Sequence, residues 1–200
     1  MANRPALLST ALPPGFYGRA TANDYPPLVF QERTALVLHQ VAAWPNTVES
    51  IERQLVNKGG YSAAPGFSGA ILNSSGHRLV RVEPLKWWLI GQAPPVVQPD
   101  DGVTLDLSHA RIQLDLHGPA AAELLNRFLP VDLRPSRCPA GQVYMTQLHH
   151  TSVLLLCDDA RYSLLLPTSF AVSLAELLCD GARQFGYQVL PPSESELQTT

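Results

Sequence analysis

The stretch from Val103 to Leu129 constrains the fold more than any other part of the chain. Val103, Leu105 and Leu107 are apolar at odd positions, with Thr104, Asp106 and Ser108 between them. Ile112, Leu114 and Leu116 are apolar at even positions, with Gln113 and Asp115 between them. Side chains alternate faces along a strand, so each run predicts a strand. The phase change across Ser108, His109, Ala110 and Arg111 then demands a bulge or tight bend. Gly118-Pro119 opens a helix, because proline at the first helical position gives up an N–H that would have no partner there. Ala121, Leu124, Leu125, Phe128 and Leu129 form its buried stripe and Pro130 stops it, which predicts a helix over 119–129. The bend is polar, which makes Ser108, His109 and Arg111 the first candidate functional residues.

Upstream, residues 34–44 read as a strand. Asn46 then caps a helix, with Glu49 as its capping-box partner. Val48, Ile51, Leu55 and Val56 face the core, and Gly59-Gly60 ends the helix. Residues 61–76 form a loop with a short strand at Ala70 to Leu72, and residues 78–90 give two strands around a turn at Glu83-Pro84. A proline-rich break at Ala93 to Asp101 separates the halves. Downstream, strands are expected near Val143 to Leu148, Val153 to Cys157 and Tyr162 to Leu166, with a turn at Asp158-Asp159. Pro167-Thr168-Ser169 starts a long helix that buries Phe170, Leu174, Leu177, Leu178 and Phe185 and ends at Gly186. Strand-helix-strand-strand, twice over, predicts an α+β fold of two antiparallel sheet-plus-helix lobes, ferredoxin-like halves. The expected boundaries are 31–92 and 102–187, between an N-terminal arm at 1–30 and a polar tail at 188–200.

The arm is proline-rich and carries Leu7, Leu8, Leu12, Phe16, Tyr17 and Tyr25. It reads either as a disordered tail or as an extended segment that buries those side chains on a partner. On the second reading, deleting residues 1–27 leaves the domain folded and weakens assembly.

An apolar content of 46% supports a proper core, and a net charge of -3 without a basic cluster argues against a nucleic-acid surface. Cys138, Cys157 and Cys179 lack CxxC spacing and fit free thiols in a reducing cytosol. No basic start with an apolar stretch predicts a signal peptide, and no long apolar run predicts a membrane span. Of six histidines, His149 and His150 adjoin in a predicted strand. Their side chains then point to opposite faces and cannot share an ion. Ser108-His109 is not a nucleophile pair, and no G-x-S-x-G, P-loop or G-x-G-x-x-G is present. No catalytic, cofactor-binding or metal residue is assigned on these grounds. Trp87 and Trp88 alternate faces, so one is core and the other exposed or half covered, and a large exposed aromatic points to a partner contact. Arg111 is either structural, satisfying Asp106, Asp115 or backbone carbonyls at a bulge, or a contact residue. The partner-contact candidates are Phe16, Tyr17, Tyr25, Trp87, Trp88, His109 and Arg111.

An ordered set of residues resembles the gamma subunit of heterotetrameric sarcosine oxidase. It runs from Asp106 to Arg111 through Gly118-Pro119, Ala121, Leu124-Leu125, Asp132-Leu133, Pro135, Pro139, Gly141, Thr146 and Leu148, and continues over Leu165 to Gly186. Glu83 to Leu89 resembles the family's G-P-x-x-W-L segment, with Glu83 where glycine is expected. The resemblance covers roughly residues 30–187. It implies the fold of the aminomethyltransferase folate-binding domain and a small non-catalytic subunit packed against alpha, beta and delta chains. It further implies FAD, FMN, NAD, zinc and tetrahydrofolate on those other chains, oxidation of sarcosine or a related N-methyl amino acid, and a cytoplasmic location. The rival expectations are a stand-alone folate-dependent one-carbon protein, a class that normally carries a further C-terminal barrel, and a scaffold unrelated to amine oxidation.

Overall fold

The computed structural model describes residues 6–18, 27–67, 69–134, 136–159 and 161–194. The chain starts with β1 (Gly15–Tyr17) and β2 (Val29–Thr34), then enters an inserted unit. That unit holds β3 (Leu38–Ala43), α1 (Val48–Gly59), β4 (Ala70–Leu72), β5 (Arg78–Glu83), β6 (Lys86–Ile90) and β7 (Gly102–Asp106). The chain then returns through β8 (Arg111–His117), α2 (Ala121–Leu125), β9 (Val143–Leu148), β10 (Thr151–Asp158) and β11 (Arg161–Pro167). It ends with α3 (Ala171–Ala182), β12 (Tyr187–Val189) and β13 (Ser193–Glu194). Two compact units result, one comprising Leu36–His109 and the other built from the chain on either side of it. The division therefore falls at residues 35/36 and 109/110, not in the proline-rich stretch 93–101, which lies inside the inserted unit.

The outer unit carries one sheet in the order β1-β12-β2-β8-β11-β10-β9, with β13 also pairing with β2. Its pairs are antiparallel except where β12 and β13 run parallel to β2. Ile112, Leu114 and Leu116 of β8 join Leu155, Leu164 and Leu166 in a core closed by Leu124 and Leu125 of α2 and Leu174 and Leu178 of α3. The α+β expectation of sheets packed with helices holds. The 119–129 helix is shorter, with helical geometry only at Ala121–Leu125 and Ala120, not Pro119, at its cap. Gly118, at φ 115°, lets the chain pass Pro27, whose carbonyl oxygen would lie 2.4 Å from any Cβ.

The inserted unit carries the sheet β4-β5-β6-β3-β7. Ile51 and Leu55 of α1 pack on Val41, Leu79, Trp87 and Leu89. Gly60 closes α1 in the left-handed region, as the glycine pair predicts. Thr47, not Asn46, occupies the cap, and no side-chain capping bond forms. The Thr47 hydroxyl serves the carbonyls of Trp44 and Asp101 instead.

Further expectations change. The phase shift after Leu107 is not a bulge within one sheet. There the chain leaves the inserted unit's sheet after β7 and enters the outer unit's sheet at β8, so each strand follows its own surroundings. In the edge strand β7, Val103 and Leu105 are exposed rather than core. The N-terminal segment, as far as it is described, is no separate arm. Leu8 and Leu12 sit in the outer unit's core, β1 pairs with β12, and Tyr17 stacks on Tyr187 at 5.2 Å. Residues expected as a polar tail supply part of β12 and all of β13.

Cys138 and Cys157 form a disulfide across a sequence separation of 19 residues, against the expectation of free thiols. Cys138 lies in the loop before β9 and Cys157 near the end of β10, a pairing that only the tertiary fold brings together. Cys179 is free and buried, and burial pushes its thiol up to about 12. Closing a loop of this length limits the unfolded chain by about 3 kcal/mol. The paired substitution C138S/C157S should lower the unfolding free energy by that order in denaturant titration. A loss below about 1 kcal/mol would show that the bridge constrains little.

Candidate functional site

The polar crossing between β7 and β8 is held by its own backbone. Ser108 donates its N–H to Asp106 Oδ1 at 2.8 Å, closing an Asx turn. The Ser108 hydroxyl accepts from the Leu38 amide at 3.1 Å and donates to the Leu38 carbonyl at 3.3 Å. Hydrogen bonds from Ser108, side chain first and then backbone, hold the Asp106 carboxyl below its usual range. Because the folded value is the depressed one, this contribution to stability is complete above the ordinary carboxylate range and is lost as pH falls through the folded value. Asp106 is solvent-exposed, so water and salt screen most of that contribution. Ser108→Ala should return the Asp106 titration upward, read by NMR, and cost about 1 kcal/mol. An unmoved Asp106 titration would contradict the assignment.

Arg111 makes a backbone contact within the outer unit. Its Nη1 donates to the Ser152 carbonyl at 3.1 Å, and burial lowers the pKa of the guanidinium. Asp115 receives Arg33 Nε at 2.7 Å. Asp115 also accepts from Ser163 Oγ at 2.7 Å and Gln113 Nε2 at 2.9 Å, while Arg33 Nη1 reaches Ser193 Oγ. Gln113, Asp115 and Ser163 are all buried, which leaves Gln113 Oε1 as a buried acceptor without a hydrogen-bond partner. This network ties β2, β8, β11 and β13 together. Alternation in β8 puts Gln113 and Asp115 on the face away from its apolar residues, and Ser163 of β11 stands opposite Asp115 there. A serine directly before the three leucines of β11 was the available signal of a buried polar face.

The remaining candidates are scattered. Phe16 is 71% exposed and His109 is exposed. Trp87 and Trp88 are both buried, against the expectation that one of them presents itself to a partner. Trp88 donates its indole N–H to Gln40 Oε1 at 3.1 Å, and the Arg81 guanidinium lies 5.4 Å from the Trp87 ring centroid. Trp87 is covered in the core of the inserted unit, with Ile51 and Leu55 of α1 in the same cluster, and β6 is an interior strand of that sheet. Tyr25 lies outside the described residues.

No group of three histidine, cysteine or acidic residues among the described residues is placed to hold a metal ion. A notch lined by Leu8, Leu12, Phe30, Glu32, Leu114 and Val189 encloses about 220 Å³, open solvent included. Its lining is mostly apolar, with Glu32 the charged member. No described helix is long and apolar enough to cross a membrane.

No family model matches the chain. A stretch of 97 residues, 48% of the chain, is 34% identical to sarcosine oxidase subunit gamma of Corynebacterium sp. (strain U-96). The chain is similar to the sarcosine oxidase gamma subunit. The aligned stretch spans 44% of that relative's length. A chain of heterotetrameric sarcosine oxidase from Corynebacterium sp. U-96, solved with pyrrole 2-carboxylate, superimposes with a TM-score of 0.70 at 24% identity. The match covers 79% of this chain and 85% of that one. Glycine cleavage system aminomethyltransferase T from Bartonella henselae superimposes with a TM-score of 0.59 at 16% identity, over 92% of this chain and 57% of that one. The fold is thus shared by the sarcosine oxidase chain and the aminomethyltransferase.

Proposed function

We propose that this chain is a gamma-type accessory subunit of a heterotetrameric flavoenzyme that oxidatively demethylates sarcosine or a related N-methyl amino acid. The observation that carries the reading is the 34% identity to sarcosine oxidase subunit gamma over 97 residues. The shared fold supports it. On this reading the chain is not itself catalytic. It packs against alpha, beta and delta chains, which hold the FAD, FMN, NAD, zinc and tetrahydrofolate. We propose exposed Phe16 and His109 as contact residues for the partner chains. Partners of nucleic-acid or membrane type form no part of the proposal.

A cytoplasmic location belongs to the same proposal, and the Cys138–Cys157 disulfide is the observation against it. Thiol trapping in fresh cell extract, counted by mass spectrometry, decides whether that pair is oxidised in the cell.

The subunit reading is tested by affinity purification of the native protein, followed by mass spectrometry and a visible spectrum. Three further chains and flavin absorbance should co-purify, while the isolated chain should be colourless. Recovery of the chain alone, or a yellow monomer that keeps its flavin through gel filtration, would overturn the reading.

A further inference from the structure

The hairpin between β9 and β10 turns at His149 and His150, outside either strand. Leu148 pairs with Thr151, so the loop is these two residues alone, with φ angles of 47° and 68°. Left-handed backbone at both positions is the type I′ turn, which favours Asn-Gly. Histidine tolerates this region better than most residues, yet two in succession is an outlier of the kind that accompanies function. The alternation that would place them on opposite faces applies to strands and does not apply here. Instead the two rings sit together, with centroids 5.3 Å apart and planes at 53°. Both residues are exposed.

Two imidazole nitrogens bound to one ion at about 2.1 Å in tetrahedral geometry put their ring centroids about 5 Å apart. We propose that His149 and His150 form a bidentate site for a borderline divalent cation at the tip of this hairpin. Imidazole donors select copper, nickel and zinc over magnesium and calcium, with Cu²⁺ held most tightly. No third histidine, cysteine or carboxylate among the described residues joins the pair, so water completes the coordination shell. Arg111 is the nearby cation, and its Nη1 is directed at the Ser152 carbonyl. The site is independent of the subunit reading.

Calorimetry on the full-length chain without an affinity tag, titrated in turn with Cu²⁺, Ni²⁺ and Zn²⁺, tests this. The expected result is one ion bound per chain, with affinity reduced at least about tenfold in H149N and in H150N. Asparagine keeps the left-handed turn in both variants. H109N, which removes a different exposed imidazole, should bind as the unaltered chain does. Should either hairpin variant melt lower, H149N/H150G restores the favoured Asn-Gly turn and must still lose the ion. An equal loss in H109N, hairpin variants that bind undiminished, or no binding by the unaltered chain at about 1 mM ion would each overturn the site.

Discussion

Removing residues 1–18 should destabilise the outer unit by roughly 5 kcal/mol or more. Leu8 is 1% exposed and Leu12 is 7% exposed, both within the core that contains Phe30 and Leu114. Each buried leucine lost costs roughly 2–5 kcal/mol, partly offset because the truncated chain has less to order. Glu32 adds to the loss. Its two carboxylate oxygens accept the Leu7 amide at 2.9 Å and the Leu8 amide at 2.8 Å. Truncation would leave that buried carboxylate facing groups that are no longer there. Strand β12 would also lose β1 as its neighbour. Thermal melts of the truncated chain and of Leu8→Ala check this, at about 2–4 °C per kcal/mol for a protein of this size. A truncated chain melting within about 2 °C of the full one would return the segment to the role of a peripheral arm.

Asp115→Ala should cost roughly 3–5 kcal/mol, because it strands a partly buried guanidinium and two side-chain donors at once. Arg33 Nε lies 2.7 Å from Asp115 Oδ2, and Ser163 Oγ and Gln113 Nε2 both donate to Oδ1. Breaking one side of a buried pair is far costlier than replacing both. The double substitution R33M/D115L should therefore recover much of the loss. Chemical denaturation of the two variants separates the cases. If D115A stayed within about 1 kcal/mol of the unaltered chain, the network would be ornamental to stability.

Local pattern revealed most of the strands and little of the polar chemistry. β8 to β11 stood out because apolar runs with clean alternation leave few other conformations, and Gly60 ended α1 because only glycine takes that turn cheaply. β2 was missed, and its last residue was joined to β3. Residues 34–44 were read as a single strand, whereas the chain stops at Thr34, turns through Ala35 at φ 57° and resumes at Leu38 in the other sheet. Alternation survives a change of sheet, so period alone cannot tell a bulge from a crossing. Leu8 and Leu12 looked unpartnered because their partners lie beyond Leu28 in sequence. The Asp115 network and the Cys138–Cys157 bond were hidden for the same reason: each joins residues that no local window contains. Of the seven contact candidates, Phe16 and His109 remain at the surface, Tyr17 and Arg111 are partly covered, the two tryptophans are interior, and Tyr25 lies outside the described residues.

The way the inserted unit is attached bears on the order of folding. β2 and β8 are neighbours in the outer sheet, with Arg33 opposite Gln113, although some 80 residues separate them. The two ends of the insert meet where Leu38 bonds to Leu107 and Ser108. Once the insert has folded, those ends are clasped and β2 and β8 emerge side by side. The closure entropy of a loop of roughly 75 residues has then already been met. The outer sheet can next form as though its β2–β8 pair were an ordinary short hairpin. Contact order computed on the whole chain therefore overstates the search, and the insert is expected to acquire hydrogen-exchange protection first in refolding.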